Sequence, residues 1–245
     1  MGLLYVDTLS PQSGTNITVG ESGQNTVLPG NDLRSNVLQD AGGNAIFTSD
    51  GSGTISGLNA GFGSSMSLLN TTTFSTNTAG VTFGSTLLTS TYKHYIVRFY
   101  NVVTSTDNSS LVGQFSIDNG SNWNISTNMT FYQAQHNEAD NNASLTYDAG
   151  YDGDGQTTTW LYFSRGIGNA AKEAGAGEFH LIDPANTSLA KQWWNRTIVQ
   201  HGSGDYAFDG IASGYANTTT AINAIHFKAA SGYLSNGTFK LYGLK

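Results

Sequence analysis

The sequence has no cysteine among its 245 residues. This absence excludes disulfide staples and zinc sites built on thiolates. Basic residues are few, since ten Lys and Arg stand against seventeen Asp and Glu, and the net charge is −7. Because nucleic-acid affinity depends largely on Lys and Arg contacts to phosphate, we expect no nucleic-acid partner. No apolar run approaches the length of a membrane span and the first residues do not resemble a signal peptide, so we expect no membrane insertion.

Charged residues make up only 11% of the chain, so Asn, Ser, Thr and Gly must supply most of the polar surface. Short uncharged side chains suit exposed strand faces and tight turns, whereas helices draw their surface from Glu, Lys, Arg and Gln. Only 3 prolines interrupt the chain, and 30 glycines allow the backbone conformations of hairpin turns. The composition therefore predicts an all-β protein of many short strands.

Apolar residues are sparse up to residue 58 and dense after it. The first stretch contains only short apolar groups, such as those at 17–19 and 45–47, separated by turn signals. Such a segment is either disordered or buries its apolar residues against other copies, and its β-favouring residues favour strands that depend on oligomerisation. We therefore divide the chain into 1–58, a β-rich attachment and oligomerisation segment, and 59–245, the main domain.

Alternation of apolar and polar residues predicts the strands of the main domain. Residues 95–103 fit a central strand, and polar and apolar residues alternate at 114–117. Turn residues at 118–121 then predict a hairpin into a strand from Trp123. Further strands are predicted at 144–147, 158–163, 178–182, 193–200, 206–212, 224–229 and 238–244. This spacing predicts an antiparallel sandwich or barrel with its C-terminal strand paired into a sheet.

Residues 116–123, Ser-Ile-Asp-Asn-Gly-Ser-Asn-Trp, resemble the Asp-box hairpin of sialidase propellers. In that motif Asp and Gly shape the turn and Trp packs beneath it. The segment departs from the pattern at Asn122, where Thr is usual. A propeller needs such a box in blade after blade, and this chain has one. We therefore interpret the segment as a stabilised hairpin.

Two acidic loops are candidates for a calcium site or a catalytic carboxylate pair. Asp152 and Asp154 lie in an Asp-Gly-Asp-Gly loop whose hard oxygen ligands suit calcium. The loop lacks the third oxygen ligand and the distant Glu of an EF-hand, so a solvated turn is favoured. Glu138 and Asp140 form the second acidic loop. Either pair is a candidate for glycoside hydrolysis, although sequence-adjacent carboxylates on loops are poor evidence for it.

Other catalytic and metal-binding motifs are missing from the sequence. The chain has no Gly-x-Ser-x-Gly elbow, no GxGxxG and no Walker loop. Its histidines show no HExxH spacing, and strand packing or a hydrogen bond is favoured over a metal for those beside apolar residues. The five are His94, His136, His180, His201 and His226. We predict that the protein is not an enzyme and that it binds no cofactor.

The Trp193-Trp194 pair is the candidate for a binding surface. Adjacent residues of a strand point to opposite faces of a sheet, so only one of the two rings can be buried on the core side. Packing explains that ring, and a subunit interface or a ligand would explain the other. Because aromatic rings stack on sugars, we name Trp193 and Trp194 as candidate glycan-binding residues.

Several phrases of the sequence resemble one family of proteins. Residues 6–20 read VDTLSPQSGTNITVG, residues 36–44 read NVLQDAGGN and residues 49–54 read SDGSGT. They resemble the N-terminal segments of structural proteins from marine bacteriophages, particularly those that infect cyanobacteria. The closing SGYL at 231–234 and GTFKLYG at 237–243 resemble the last strands of the jelly-roll domains in the same proteins. The resemblance implies a virion location, a homotrimer and an antiparallel jelly-roll β-sandwich at 59–245.

The main hypothesis is a non-enzymatic phage virion protein at the virion surface. Residues 1–58 would dock on other virion proteins, either the portal or tail adaptor or the major capsid protein, and the homotrimer would display its jelly rolls. Tail fibre and capsid decoration stay open, since both kinds of appendage use such modules. The second hypothesis is a receptor-binding, lectin-like fibre tip in which Trp193 or Trp194, together with tyrosines, stacks on a host surface glycan. The third is a carbohydrate-active enzyme.

Overall fold

The computed structural model describes residues 37–40, 42, 44–49, 51–52, 55–58, 65–202 and 205–245. Within these residues the protein is all-β, with sixteen strands and no helix. No described helix is therefore available to cross a membrane. The strands are β1 (Val37–Gln39), β2 (Ala45–Ser49), β3 (Ile55–Leu58), β4 (Met66–Phe74), β5 (Val81–Phe83), β6 (His94–Thr104), β7 (Ser109–Ser116), β8 (Thr127–Asn137), β9 (Ala143–Tyr147), β10 (Gly153–Thr157), β11 (Leu161–Ile167), β12 (Gly175–Ile182), β13 (Lys191–Gln200), β14 (Tyr206–Ala216), β15 (Ala224–Ala229) and β16 (Leu234–Leu244).

The chain divides into two compact units, Met1–Gly63 and Ser64–Lys245. In the first unit, β1, β2 and β3 form an antiparallel sheet in that order. Every side chain described in this unit is exposed or only partly buried. The described part of the first unit therefore has no buried core of its own. The predicted apolar group at 17–19 lies outside the described residues.

In the second unit a large and a small antiparallel sheet pack face to face as a β-sandwich. The large sheet has the order β10-β8-β14-β13-β12-β6-β16-β4, with β9 also paired to β8, and the small sheet has the order β11-β7-β15-β5. Trp193 and Phe179 of the large sheet pack on Phe115 and Phe163 of the small sheet, with ring centroids 5.0 to 6.1 Å apart. These rings belong to one continuous hydrophobic core. The all-β, antiparallel sandwich predicted from the sequence agrees with this architecture.

Most predicted strands are present, but the predicted hairpin is wrong. Residues 224–229 coincide with β15, and β16 pairs with both β4 and β6, as expected for a paired C-terminal strand. No strand begins at Trp123. The next strand, β8, begins at Thr127 and lies in the large sheet, whereas β7 lies in the small sheet. The chain therefore crosses between the sheets after the turn instead of folding back on β7.

The turn itself forms through the side chains that the Asp-box-like sequence supplies. Asp118 Oδ1 accepts hydrogen bonds from Ser116 Oγ at 2.6 Å and from Asn122 N at 2.9 Å, and Gly120 has a φ of 88°. The bond from Ser116, with those from Asn122, lowers the pKa of Asp118 to about 2. Trp123 then packs 5.3 Å from the His226 ring, on the outer face of the small sheet.

Candidate functional site

The outer face of the large sheet displays a row of side chains from its central strand β13. Buried and exposed residues alternate along this strand from Lys191 to Ile198. The buried set points into the core and the exposed set points to solvent, as the pleat of a strand requires. The exposed residues are Gln192, Trp194, Arg196 and Ile198.

The two tryptophans have opposite environments. Trp193 is 2% exposed and lies in the core among Phe115, Phe163 and Phe179. Trp194 is 37% exposed on the outer face of the large sheet. The sequence argument that one ring packs in the core and the other needs a separate explanation therefore agrees with the structure. Of the two candidate residues, only Trp194 is placed to contact a ligand.

Trp194 forms one wall of an open groove of about 570 Å3. The ring of Trp194 stacks on His180, with centroids 3.6 Å apart and an interplanar angle of 14°. This stacking occupies one face of the indole and fixes its orientation. The polar side chains that line the groove are Asn128, Thr130, Gln192, Ser213 and Tyr215. None of the described residues that line it carries a charge.

Three neighbouring strands place these side chains together. Trp194 on β13 lies opposite Ser213 on β14, which lies opposite Thr130 on β8. The hydroxyls of Thr130 and Ser213 are 3.2 Å apart and hydrogen-bonded. At the next position Gly214 allows β14 and β8 to approach closely, because a Cβ there would lie 2.1 Å from the backbone oxygen of Asn128. The groove is thus built on paired strands and not on a loop, which fixes its geometry.

Two imidazoles support the inner face of Trp194. His94 Nε2 and His180 Nδ1 are hydrogen-bonded at 2.8 Å. Burial lowers the pKa of His94 and of His180, and for His180 the neighbouring Glu178 opposes this lowering. Glu178 Oε1 lies 3.4 Å from His180 Nε2 without hydrogen-bond geometry. Both imidazoles are therefore neutral near pH 7, and the ring that stacks on Trp194 carries no charge.

The acidic loops do not form a recognisable metal centre. The prediction of a loop for the first pair is wrong in part, because Asp154 lies in β10, which pairs with β8. Asp152 accepts a hydrogen bond from the hydroxyl of Tyr147, and the side chain of Asp154 lies outside the described residues. In the second loop, Asp140 bonds to His136 Nε2 at 3.0 Å, and Glu138 lines a separate cleft. Across the described residues, no group of three or more His, Asp or Glu is arranged to hold a metal ion.

No family model, no curated protein and no solved structure matches this chain. The candidate site therefore stands on its own geometry. Sequence reasoning found Trp194 through strand alternation, and the same alternation extends to Gln192. It missed Asn128 and Tyr215, because these residues lie on β8 and β14 and reach the groove only through the pairing of the strands.

Proposed function

We propose that this chain is a non-enzymatic surface protein of a bacteriophage virion. In this proposal three copies assemble, the first unit docks on other virion proteins, and the sandwich is displayed outward as a tail fibre or capsid decoration. The phrases at 6–20 and 237–243, which resemble marine phage structural proteins, support the virion location. The described part of the first unit supports the docking role, since all of its side chains remain at least partly accessible to a partner.

The observation that carries this proposal is the strand order of the second unit. Eight of its strands form the two four-stranded groups β4-β16-β6-β12 and β5-β15-β7-β11. If these eight strands are numbered 1 to 8 in chain order, the group in the large sheet has the order 1-8-3-6. The group in the small sheet, which faces it, has the order 2-7-4-5. Such interleaving supports a jelly roll, the architecture that viral capsid and lectin domains share. The remaining strands β8, β9, β10, β13 and β14 extend the large sheet.

The virion proposal is tested by removing residues 1–55 from the chain in the phage genome. We expect the shortened protein to keep its β-sheet circular dichroism spectrum, because the sandwich has its own core, and to be absent from purified virions by mass spectrometry. The full-length chain, carried through the same purification, is the control. Incorporation of the shortened protein, or absence of the full-length protein from virions, would overturn the proposal.

The groove at Trp194 favours glycan recognition as a second candidate function. A fixed, solvent-facing indole offers a stacking surface, and the hydroxyls and amides around it match the hydrogen-bonding groups of a sugar. Its volume of about 570 Å3 lies within the roughly 300–1,000 Å3 of ligand sites. Because none of the described groove residues is charged, the ligand class is a neutral pyranose and not an acidic sugar.

Glycan recognition is tested with the full chain on an array of neutral and acidic glycans. We expect binding to neutral glycans and at least a tenfold loss for Trp194→Ala, which corresponds to about 1.4 kcal/mol. Tyr233→Ala is the matched control, because Tyr233 is also an exposed aromatic residue, 51% exposed, and does not line the groove. Unchanged binding by the Trp194 variant, or no glycan binding by the native chain, would exclude this function.

A further inference from the structure

A cleft on the outer face of the small sheet, which we call the Lys228 cleft, lies on the opposite side of the sandwich from the Trp194 groove. Its volume is about 400 Å3, within the roughly 300–1,000 Å3 of ligand sites. Of the six residues that line it, Lys228 alone is charged. Apolar and aromatic walls with a single well-placed polar group are typical of small-molecule sites. The lining residues are Val112, Thr159, Trp160, Tyr162, Lys228 and Ala230.

Strand pairing sets the floor and two walls of the Lys228 cleft. Lys228 on β15 lies opposite Val112 on β7, and Val112 lies opposite Tyr162 on β11. The three residues therefore form a row across adjacent strands, and their side chains share the outer face. At about 4.8 Å per strand, the backbones of Lys228 and Tyr162 are about 10 Å apart. The short side chain of Val112 lies between them, so it forms a floor with a cation on one side and an aromatic ring on the other.

Trp160 holds the ammonium group of Lys228 at the cleft. Lys228 Nζ lies 4.2 Å from the centroid of the Trp160 ring, a cation–π contact. The ring itself packs against His226 at 5.6 Å and Trp123 at 6.4 Å, which fixes its orientation. In the described part of the chain, Lys228 joins no ion pair and donates no hydrogen bond. The N–H donors of this positioned ammonium are therefore available to a ligand.

The described carboxylates of the neighbouring segments are engaged elsewhere. Asp118 accepts its hydrogen bonds within the turn that follows β7, and Asp107 accepts one from a backbone N–H of the segment before β12. Asp148 forms an ion pair with an arginine of β11, and Asp152 accepts a hydrogen bond from a tyrosine of β9. The positive charge of Lys228 is thus not neutralised by a described carboxylate, although the chain as a whole carries −7. An isolated cation in an acidic protein favours an anionic ligand at this position.

We propose that the Lys228 cleft binds an acidic pyranose, whose carboxylate pairs with the ammonium of Lys228 and whose ring stacks on Tyr162. Aromatic side chains stack on the apolar face of a sugar ring. One ammonium matches the single charge of a carboxylate, whereas a phosphate monoester carries about −1.5 to −2 at pH 7. Arginine forks commonly bind phosphates, and no arginine lines the cleft. This proposal does not depend on glycan binding at Trp194.

The first test changes the ligand and leaves the protein intact. The full chain is applied to an array of uronate-containing and sialylated glycans, and to the same glycans after their carboxyl groups have been reduced to alcohols. We expect at least tenfold tighter binding to the acidic forms, because reduction removes the charge and keeps the sugar ring. Equal binding of the two forms, or no binding to acidic glycans, overturns the proposal.

The second test removes the charge from the cleft. We expect Lys228→Met to lose at least tenfold in affinity for the acidic glycans while keeping its β-sheet circular dichroism spectrum. Lys240→Met is the matched control, because Lys240 Nζ also lies over an aromatic ring, 5.7 Å from the centroid of Tyr100, on the large sheet. This control should bind as the native chain does. Unchanged binding by Lys228→Met, or an equal loss in Lys240→Met, overturns the proposal.

The third test concerns the aromatic wall. Tyr162→Phe keeps the ring and should bind acidic glycans within twofold of the native chain, whereas Tyr162→Ala should lose at least tenfold. Native affinity in Tyr162→Ala, or an equal loss in the two variants, overturns the stacking of the sugar on this ring.

The two outer faces are separated by comparing variants on the same array. Trp194→Ala should keep its binding to acidic glycans, and Lys228→Met should keep any binding to neutral ones. Loss of acidic-glycan binding in Trp194→Ala would place the acidic sugar in the groove and overturn the Lys228 cleft as its site. A native chain that binds acidic glycans through Lys228 but no neutral ones removes the groove function alone. A chain that is absent from virions but binds through Lys228 keeps this inference and removes the virion location.

Discussion

The two outer faces of the sandwich differ in what covers them. On the small sheet, all eight residues of β7 are buried, including Val112 and Gln114, which point away from the core. The chain itself covers this face. Gln114 Nε2 donates hydrogen bonds to the backbone oxygens of Thr158 and Thr159 at 3.3 and 2.7 Å, so the segment before β11 is held across the sheet. Around β7, this outer face thus behaves as a second interior.

On the large sheet, by contrast, the outer face is open. Buried and exposed residues alternate along most of β13, yet two of its four exposed residues, Trp194 and Ile198, are apolar. A solvated sheet face normally carries polar side chains. The comparison therefore distinguishes two outer faces: on the small sheet the chain itself covers β7, whereas the apolar residues of β13 on the large sheet are left open to a partner or a ligand.

The largest change in the free energy of unfolding is expected when one tryptophan is replaced on the inner face of β13 and the other on its outer face. Trp193→Ala removes a ring that is 2% exposed from the shared core, and we expect the free energy of unfolding to fall by about 3–5 kcal/mol. Trp194→Ala on the open face should cost less than about 1 kcal/mol. Urea unfolding followed by circular dichroism measures both. Losses of similar size would mean that Trp194 is also part of a packed interior.

The contrast between the two tryptophans follows from the sequence, whereas the covering of the small sheet does not. Strand alternation places neighbouring residues on opposite faces, so it assigns Trp193 and Trp194 to different environments. The same alternation at 114–117 predicts a solvent-facing Gln114, which is in fact fully buried. The residues that bond to it are Thr158 and Thr159, more than forty positions along the chain. Periodicity reports which face a residue is on, and not what lies above that face.

The crossing between the sheets after the turn at Asp118 was missed for a related reason. The side chains of the turn determine its local shape, and the structure shows the bonds that the sequence suggests. The destination of the chain after the turn depends instead on long-range pairing: β7 pairs with β11 and β15, and β8 pairs with β14 in the large sheet. Strand β4 was missed as well, since its Thr-rich stretch at 71–73 has no apolar alternation. Neither feature is encoded within one short segment.

A smaller effect is expected when the same residue type is compared on the two outer faces. Gln114→Ala removes the bonds to Thr158 and Thr159 and leaves the buried backbone N–H of Phe115 without the side-chain oxygen that it contacts at 2.9 Å. We expect a loss of about 2–3 kcal/mol in the free energy of unfolding. The control is Gln192→Ala on the open face, which should stay within about 0.5 kcal/mol of the native chain.

Urea unfolding measures the free energies of unfolding of the two variants, and proteolysis tests directly whether the segment before β11 is released. If the segment before β11 is held down by Gln114, chymotrypsin should cleave it at Tyr151 or Trp160 faster in the Gln114 variant than in the Gln192 variant. Equal stability of the two variants would show that the small sheet does not depend on this cover.

The smallest effect concerns the pH dependence of the covered face. His226 points outward from β15, bonds to Thr82 Oγ1 at 2.7 Å and packs beside Trp123 and Trp160. Burial, with a further contribution from the charge of Lys228, lowers the pKa of His226 from 6.5 to about 4. The unfolded chain therefore binds a proton at a higher pH than the folded chain does. The contribution of His226 to the free energy of unfolding is therefore fully present above pH 6.5 and is lost as the pH is lowered from 6.5 to about 4.

Replacing His226 tests the direction of this pH dependence. In His226→Gln the decrease in the free energy of unfolding between pH 6.5 and 4 should be smaller than in the native chain, when urea midpoints are measured across that range. The decrease should not vanish, because burial also lowers the pKa of His94 and His180 behind the open face. Lys228→Met should raise the pKa of His226, because it removes a positive charge from beside the imidazole. The pH range over which His226 reduces stability should therefore become narrower. A steeper pH dependence in His226→Gln would mean that the imidazole is charged in the folded state, which a covered outer face does not permit.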